Sequence, residues 1–303
     1  MLEAAPGHVS GFVSILGRPN SGKSTLLNAL VGSKLAIVAV KPQTTRSLVQ
    51  GVLTLPEAQI VFLDTPGIHK PDTLMNRTMM ESIRAALDER DLLLFVADAS
   101  RPFTEEDEEA VEVIAKSKAP ALLVLNKVDR VKEKPQLLPL IERYKAAHEF
   151  ADYIPVSALR GTGLDELRAA IRARLAEGPP YFPPDYLTDQ PERFLAAELI
   201  REKILGEIRD EVPHSAAVLV DAWEETPRLT RIAATIYVER EGQKGIVIGA
   251  KGSMLKRIGT LAREEMERMF NRKIFLELYV RVQPRWREDS GFLQQLDWHS
   301  MSS

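Results

Sequence analysis

Nine residues, GRPNSGKST from Gly17 to Thr25, constrain this chain more than any other part of it. Glycines at 17 and 22, followed at once by Lys23 and Ser24, form the pattern G-x4-G-K-S. Backbone N–H groups in such a loop can curl around phosphate oxygens. The lysine supplies charge, and the serine hydroxyl faces Mg²⁺. The pattern works only between a strand and a helix whose N-terminal dipole adds to the cradle. The apolar run FVSIL (12–16) stands before it, and helical periodicity over 23–31 follows.

The flanking chain repeats the alternation. Short apolar runs at 48–55, 59–64, 91–98, 121–126 and 153–157 read as strands. Helical periodicity at 74–88, 104–118, 135–148 and 164–176 separates them. Alternating strands and helices predict an α/β doubly wound sheet, with ligands at the carboxyl ends of the strands. The segment GPPYFPPDYLTDQP, 178–191, then puts five prolines into fourteen residues and reads as a linker of limited flexibility. Beyond it the order becomes α-β-β-α-α-β: a helix at 192–210, strand-like runs at 214–225 and 228–240, a short helical piece at 244–249, a helix over 252–270 and a strand at 273–282. The expected domains are a nucleotide-binding unit at 1–177, the linker at 178–191 and a smaller α+β unit at 192–303.

Three more motifs fall at expected strand ends. Asp64-Thr65-Pro66-Gly67 closes QIVFL, where a carboxylate can hold Mg²⁺ through water and a glycine amide can meet a γ-phosphate. Asn126-Lys127-Val128-Asp129 closes ALLVL. Asp129 can accept from an N–H and an amino group side by side, the edge that guanine presents and adenine does not. Ser157-Ala158-Leu159 follows YIPV, where a backbone N–H can reach the guanine O6. Each is weak alone; their order on successive strand ends is what carries weight.

This set resembles the guanine-nucleotide motifs of translation-factor-class GTPases, and KPQTTR (41–46) resembles the switch I of the Era family. The resemblance implies binding of GTP and GDP with Mg²⁺ by residues 17–25, 64–68, 126–129 and 157–159, with a switch I threonine on the metal. Thr45 is favoured over Thr44, so Ser24, Thr45 and Asp64 form the expected metal set. Lys23, Thr45, Asp64 and Gly67 are the expected catalytic residues. Ile68 stands where Ras-like enzymes carry a glutamine that orients the attacking water, so slow basal hydrolysis is expected. Arg18 and Arg46 are read as solvated rather than as arginine fingers. Met75, Met79 and Met80, at helical spacing, are read as core.

In the second unit, Gly249-Ala250-Lys251-Gly252 is a GXXG loop between two helical pieces, the mark of a KH domain that clamps single-stranded nucleotides. The element order matches the type II topology. Ile246 and Ile248 would line the base groove, while Lys251, Lys256, Arg257, Arg285 and Arg287 would meet phosphate. Trp286 could stack on RNA or cap the last strand. From Arg240 to Arg287 there are twelve Lys/Arg and five Asp/Glu, a basic excess within a chain of net charge −3. That is the local footprint of a polyanion site. The Era-family resemblance further implies binding to the 3′ end of 16S rRNA, a role in 30S subunit maturation and a peripheral contact with the inner membrane face.

The absence of cysteine excludes disulfides and thiolate metal sites. The N-terminus has no signal-peptide pattern, and no run is long and apolar enough to span a bilayer. A cytoplasmic monomer is the expectation. Two other classes remain open on the residues alone. One is a membrane-associated or cell-cycle regulatory GTPase whose second domain binds protein or lipid. The other is an RNA-binding module with a degenerate nucleotide fold.

Overall fold

The computed structural model describes residues 6–39, 41, 44–68, 72–87, 90–208 and 212–298. Pro42 and Gln43 of the expected switch I, and the far ends of the expected helices 74–88 and 192–210, lie outside them. The chain divides into two compact units. The first comprises 1–36, 45–71 and 76–189; the second comprises 37–44, 72–75 and 190–303.

The first half of the chain runs β1 (Val9–Leu16), α1 (Lys23–Val31), β2 (Val49–Leu55), β3 (Ala58–Asp64), α2 (Leu74–Ala85), β4 (Leu92–Asp98), α3 (Glu105–Ile114), β5 (Ala121–Asn126), α4 (Leu137–Ala147), β6 (Asp152–Pro155) and α5 (Leu164–Arg172). Its six strands lie in the order β2-β3-β1-β4-β5-β6. All pair in parallel except β2, which returns antiparallel along β3 with Leu55 opposite Ala58. The sheet is therefore mixed. Only two residues join β2 to β3, which suffices for a hairpin and not for a crossover. Alternate side chains sort the apolar runs into two cores. Leu122 and Val124 enter one with Val13 and Ile15, and Leu123 and Leu125 enter the other with Leu16 and Phe95. Met75, Met79 and Met80 are buried, as expected. The order places β1 between β3 and β4, so the chain leaves β1 toward opposite sides and opens a crevice at its carboxyl end.

The proline-rich segment is held more tightly than its composition implies. The Gln59 side chain, fully buried, accepts from the Tyr181 and Phe182 amides at 2.6 and 2.9 Å and donates to the Phe182 carbonyl at 2.9 Å. Val52 N donates to Leu187 O at 2.8 Å, and Ser10 Oγ to Pro179 O at 2.9 Å. Residues 178–189 thus belong to the first compact unit.

The second unit holds α6 (Glu192–Glu207), α7 (Val212–Ser215), β7 (Ala217–Glu225), β8 (Thr230–Val238), α8 (Glu241–Ile248), α9 (Ser253–Phe270), β9 (Ile274–Val282) and α10 (Ser290–Leu296). Its sheet runs β7-β8-β9, with β8 and β9 parallel and α8 and α9 forming the crossover. Ile258, Ala262 and Met266, four residues apart, bury one stripe of α9 against Ile232, Ala234 and Ile236 of the sheet. β9 alternates: Ile274, Leu276, Leu278 and Val280 turn to this core, while Phe275, Glu277, Tyr279 and Arg281 are exposed.

Candidate functional site

Four strand ends in the first unit carry the expected polar residues to one edge of the sheet. β1 runs directly into the phosphate loop. Gly22 takes φ 98°, and a Cβ there would come within 2.3 Å of the Asn126 side-chain nitrogen, so only glycine fits. α1 begins at Lys23 with no side-chain cap and no acid in its first turn, which leaves its N-terminal dipole facing the loop. Lys23 is buried, and its Nζ donates to the Gly17 and Arg18 carbonyls at 3.1 and 3.0 Å.

Ser24, Thr45 and Asp64 meet. Ser24 Oγ lies 2.7 Å from Thr45 Oγ1 and donates to Asp64 Oδ2 at 2.6 Å. Thr44 instead turns its hydroxyl back to the Lys41 carbonyl at 2.6 Å. Asp64 Oδ1 is buried without a hydrogen-bond partner among the described residues. A buried, unpaired carboxylate oxygen beside two hydroxyls fits a hard divalent cation that keeps much of its water. Gly67 packs against Pro19 of the phosphate loop, where a Cβ would approach Pro19 N to 2.7 Å. Ile68 is buried in the core cluster with Leu16 and Phe95.

The base-reading motif is tied to both neighbours. Asn126 Nδ2 donates to Ser21 O at 3.0 Å, and its Oδ1 accepts from Ala158 N at 3.0 Å. Asp129 accepts from Ser157 Oγ at 2.6 Å through Oδ1. Asp129 is exposed rather than buried, so its discrimination arises when a base covers it. Leu159 is 69% exposed at the rim. Val128 donates its amide to Val156 O at 3.2 Å, locking the two motifs together.

Three residues that the sequence reading missed complete the site. Asp98, at the end of β4, binds Lys127 Nζ at 2.6 Å, and the same ammonium donates to Asn20 O. Burial pushes the Asp98 carboxyl up, but bonds from Lys127 and Ser100 outweigh it and hold the group below the usual carboxylate range. Its signal was present in sequence: like Asp64 and Asn126, it is the polar end of an apolar strand. Asp107 and Tyr144 had no such signal. Arg18 donates to Asp107 Oδ2 at 2.6 Å and to Thr104 Oγ1 at 2.9 Å, and it pairs with Glu106. Tyr144 donates to Asp107 Oδ1 at 2.8 Å. Burial, then the Asp107 charge, pushes the Tyr144 hydroxyl far above its ordinary value, so it stays protonated. Arg18 is therefore a strut for the phosphate loop, not a solvated side chain. Carboxylates at the N-terminus of α3 claimed it. Arg46 is half-buried.

Burial lowers the Lys23 ammonium to about 8, with Asp64 opposing, and raises Asp64 to about 6, with Lys23 and the Ser24 and Thr45 hydroxyls opposing. Phosphate binding needs Lys23 charged, so above its free value a proton must be taken up on binding. Metal binding needs Asp64 ionised, so below its free value a proton must be released. Affinity for Mg²⁺–GDP should be highest between those two values and fall by up to about tenfold per pH unit outside them. Fluorescent GDP titrations from about pH 5 to about pH 9 would read this as a bell. A flat profile would contradict it.

In the second unit the GXXG loop joins α8 to α9. Gly252 has φ 79°, and nothing lies within 4 Å of where a Cβ would stand, so the loop is open on that side. Lys251, Lys256 and Arg285 are exposed, Ile246 is 46% exposed, Ile248 is half-buried, and Ala250 is exposed. Arg257 is exposed but pairs with Glu207 at 2.5 Å. Two expectations in the tail need correction. Trp286 is fully buried; its Nε1 donates to Ser215 O at 2.8 Å and its ring packs on Phe292, so it caps the fold and cannot stack on RNA. Arg287 is half-buried and bound to Glu239 at 2.6 Å, which draws its charge away from phosphate.

A phosphate loop, a single-carboxylate metal corner and an aspartate set to read two adjacent donors make a P-loop GTPase, here followed by a KH-type unit. Residues 12–127 match the sequence family described as 50S ribosome-binding GTPase, and residues 211–287 match the KH domain family. The chain is 51% identical to GTPase Era of Geobacter metallireducens over 95% of its own length and 97% of that protein's. GTPase Era of Rippkaea orientalis is 47% identical over 97% and 94%. Its fold is similar to a substituted Aquifex aeolicus Era bound to GDP and tetrafluoroaluminate, with a TM-score of 0.92 and 42% identity over 95% of this chain and 98% of that one. An Era solved with MgGDPNP and nucleotides 1506–1542 of 16S ribosomal RNA gives a TM-score of 0.93 at the same identity and coverage. The chain belongs to the GTPase Era family.

Proposed function

We propose that this protein binds and hydrolyses GTP in its first unit and holds the single-stranded 3′ end of 16S rRNA in its second, acting in maturation of the 30S ribosomal subunit. The observation that carries the reading is that one chain holds both an intact guanine site and an open GXXG clamp. It matches, over 95% of its length, an Era solved with both kinds of ligand.

The loop 17–25 and the N-terminus of α1 receive the β- and γ-phosphates, with Lys23 turning from the loop carbonyls to them. Ser24, Thr45 and Asp64 would hold Mg²⁺, which neutralises charge on the phosphate oxygens when bound. Asn126 ties the phosphate loop to the Ser157–Leu159 loop, so the base and phosphate ends are set relative to each other. Asp129 accepts from the guanine edge, and Lys127, pinned by Asp98, lies beside it. Gly67 offers its backbone to the γ-phosphate side. Ile68, turned into the core, cannot orient water, and Arg18 is committed to Asp107 and Glu106. Basal hydrolysis is therefore slow, and a partner supplies what is missing. Phosphate release from GTP at many turnovers per second by the protein alone would contradict this.

The RNA arm is tested by Gly252→Asp. The substitution puts a negative side chain where phosphate must approach, in a backbone conformation that costs an L-residue about 1–2 kcal/mol. RNA affinity should fall at least tenfold with GDP affinity unchanged, both read by equilibrium binding on the full chain. Unaltered RNA binding would remove the clamp assignment. Among the described residues no helix is long and apolar enough to cross a membrane. A ribosomal-subunit substrate places the protein in the cytoplasm, and any membrane contact is peripheral.

A further inference from the structure

Outside residues 37–44, the described large apolar side chains that the second unit leaves exposed are Ile246, Phe275 and Tyr279. Ile246 belongs to the groove beside the GXXG loop. Phe275 and Tyr279, 46% and 51% exposed, do not. Both stand on the outward face of β9, opposite the side chains that α8 and α9 cover. β9 is an edge strand, paired only with β8. Its outward face carries Phe275, Glu277, Tyr279 and Arg281, and the facing β8 positions are Arg231, Ala233, Thr235 and Tyr237. The Arg231 guanidinium lies 5.7 Å from the centre of the Phe275 ring. Lys273, 77% exposed, stands at the start of the strand.

This pattern suits one kind of occupant. The two rings do not form a continuous apolar patch of the kind that packs on a protein, because charged and small residues surround each. They are separate π-faces, about 13 Å apart along the strand, with Arg231, Lys273 and Arg281 nearby and Glu277 between them. Exposed aromatics interleaved with cations on an open sheet are how single-stranded nucleic acid is stacked and its phosphates are met. The face is also continuous with the clamp: β9 packs on α8 and α9, which bracket Gly249–Gly252. A KH clamp takes about four nucleotides, so a longer strand must leave it along some neighbouring surface.

We propose that the outward face of β9 is a second surface for single-stranded RNA, on which Phe275 and Tyr279 stack bases lying beyond those in the GXXG clamp. The proposal rests on the clamp reading above. The test uses the full chain with Mg²⁺ and GDP, and nested single-stranded RNAs cut from the 16S nucleotides 1506–1542. One RNA just fills the clamp, at about four nucleotides, and one is about four times longer. Phe275→Ala with Tyr279→Ala should weaken the long RNA at least tenfold and the short one less than twofold. Phe275→Tyr with Tyr279→Phe should restore the long-RNA affinity. Equal affinity of the alanine variant and the wild type for the long RNA would overturn the proposal, and so would an equal loss on both lengths. Gly252→Asp distinguishes the two readings: it should lose the short RNA. If it keeps that RNA, the clamp is wrong and this surface falls with it. If the alanine variant binds long RNA normally but loses self-association or binding to phosphatidylglycerol vesicles, the face belongs to a second copy or to lipid, and the proposal is overturned.

Discussion

Asp129→Asn is expected to weaken GTP at least tenfold and to create affinity for XTP. Asp129 offers two acceptors to the guanine N1–H and 2-amino group. Asparagine offers one acceptor and one donor, which mispairs with guanine but matches xanthine, where a carbonyl replaces the amino group. The carboxylate is exposed in the free chain, so the bound base is what desolvates it. Losing a charged hydrogen bond there costs roughly 1.5–3 kcal/mol, and the mispaired donor adds more. Ser157 Oγ, which donates to Asp129 Oδ1 at 2.6 Å, can donate equally to the asparagine carbonyl oxygen, so the loop geometry survives. Competition of GTP, XTP and ATP against labelled GDP on both proteins reads the outcome. A variant that kept its guanine preference, or a wild type that bound ATP as well as GTP, would leave only a P-loop protein of unassigned base.

Lys23→Ala is expected to abolish tight nucleotide binding, with a loss of at least a hundredfold for both GTP and GDP. The ammonium is buried and held by the Gly17 and Arg18 carbonyls, so it is already positioned at the loop. Two charge-assisted bonds to phosphate, at roughly 1.5–3 kcal/mol each, exceed the roughly 2.7 kcal/mol of a hundredfold change. A second effect acts in the same direction. Lys23 opposes the burial-driven rise of Asp64, so its removal leaves the metal carboxylate harder to ionise. The fold should survive, because the substitution removes a buried charge rather than stranding its partner. Thermal unfolding of the nucleotide-free protein checks this. Unchanged GDP affinity in a folded variant would end the phosphate-loop assignment.

The legible parts of this molecule were those with local physical signatures. The phosphate loop, Asp64 and Asn126 could be placed because each follows an apolar run that had to be a buried strand, and a polar residue closing such a run has to emerge at the sheet edge. The choice of Thr45 over Thr44 came from resemblance; in the structure Thr45 is the one at Ser24. What was not legible depended on contacts far apart in sequence. Arg18 reads as a solvated side chain until α3 brings Asp107 to it, 89 residues away. Gln59 in an apolar strand gives no hint that it will pin Tyr181 and Phe182, so the proline-rich segment reads as a linker rather than as part of the first unit. Trp286 between two arginines has the composition of an RNA contact. Only the packing of α10, through Phe292, turns it into a buried cap. The antiparallel course of β2 follows from the length of one turn, which the apolar pattern alone did not weigh.

The central claim is that one chain reads guanine nucleotide in one unit and clamps single-stranded ribosomal RNA in the other. The most direct measurement is a filter-binding titration of the 16S nucleotides 1506–1542 with GTP, with GDP and without nucleotide, each repeated across a range of salt concentrations. A clamp on about four nucleotides should release counterions from about four phosphates. Log affinity should then fall with log salt at a slope of about −3. Tight binding with that slope is the predicted result. Absence of binding in every nucleotide state, or binding indifferent to salt, would contradict it.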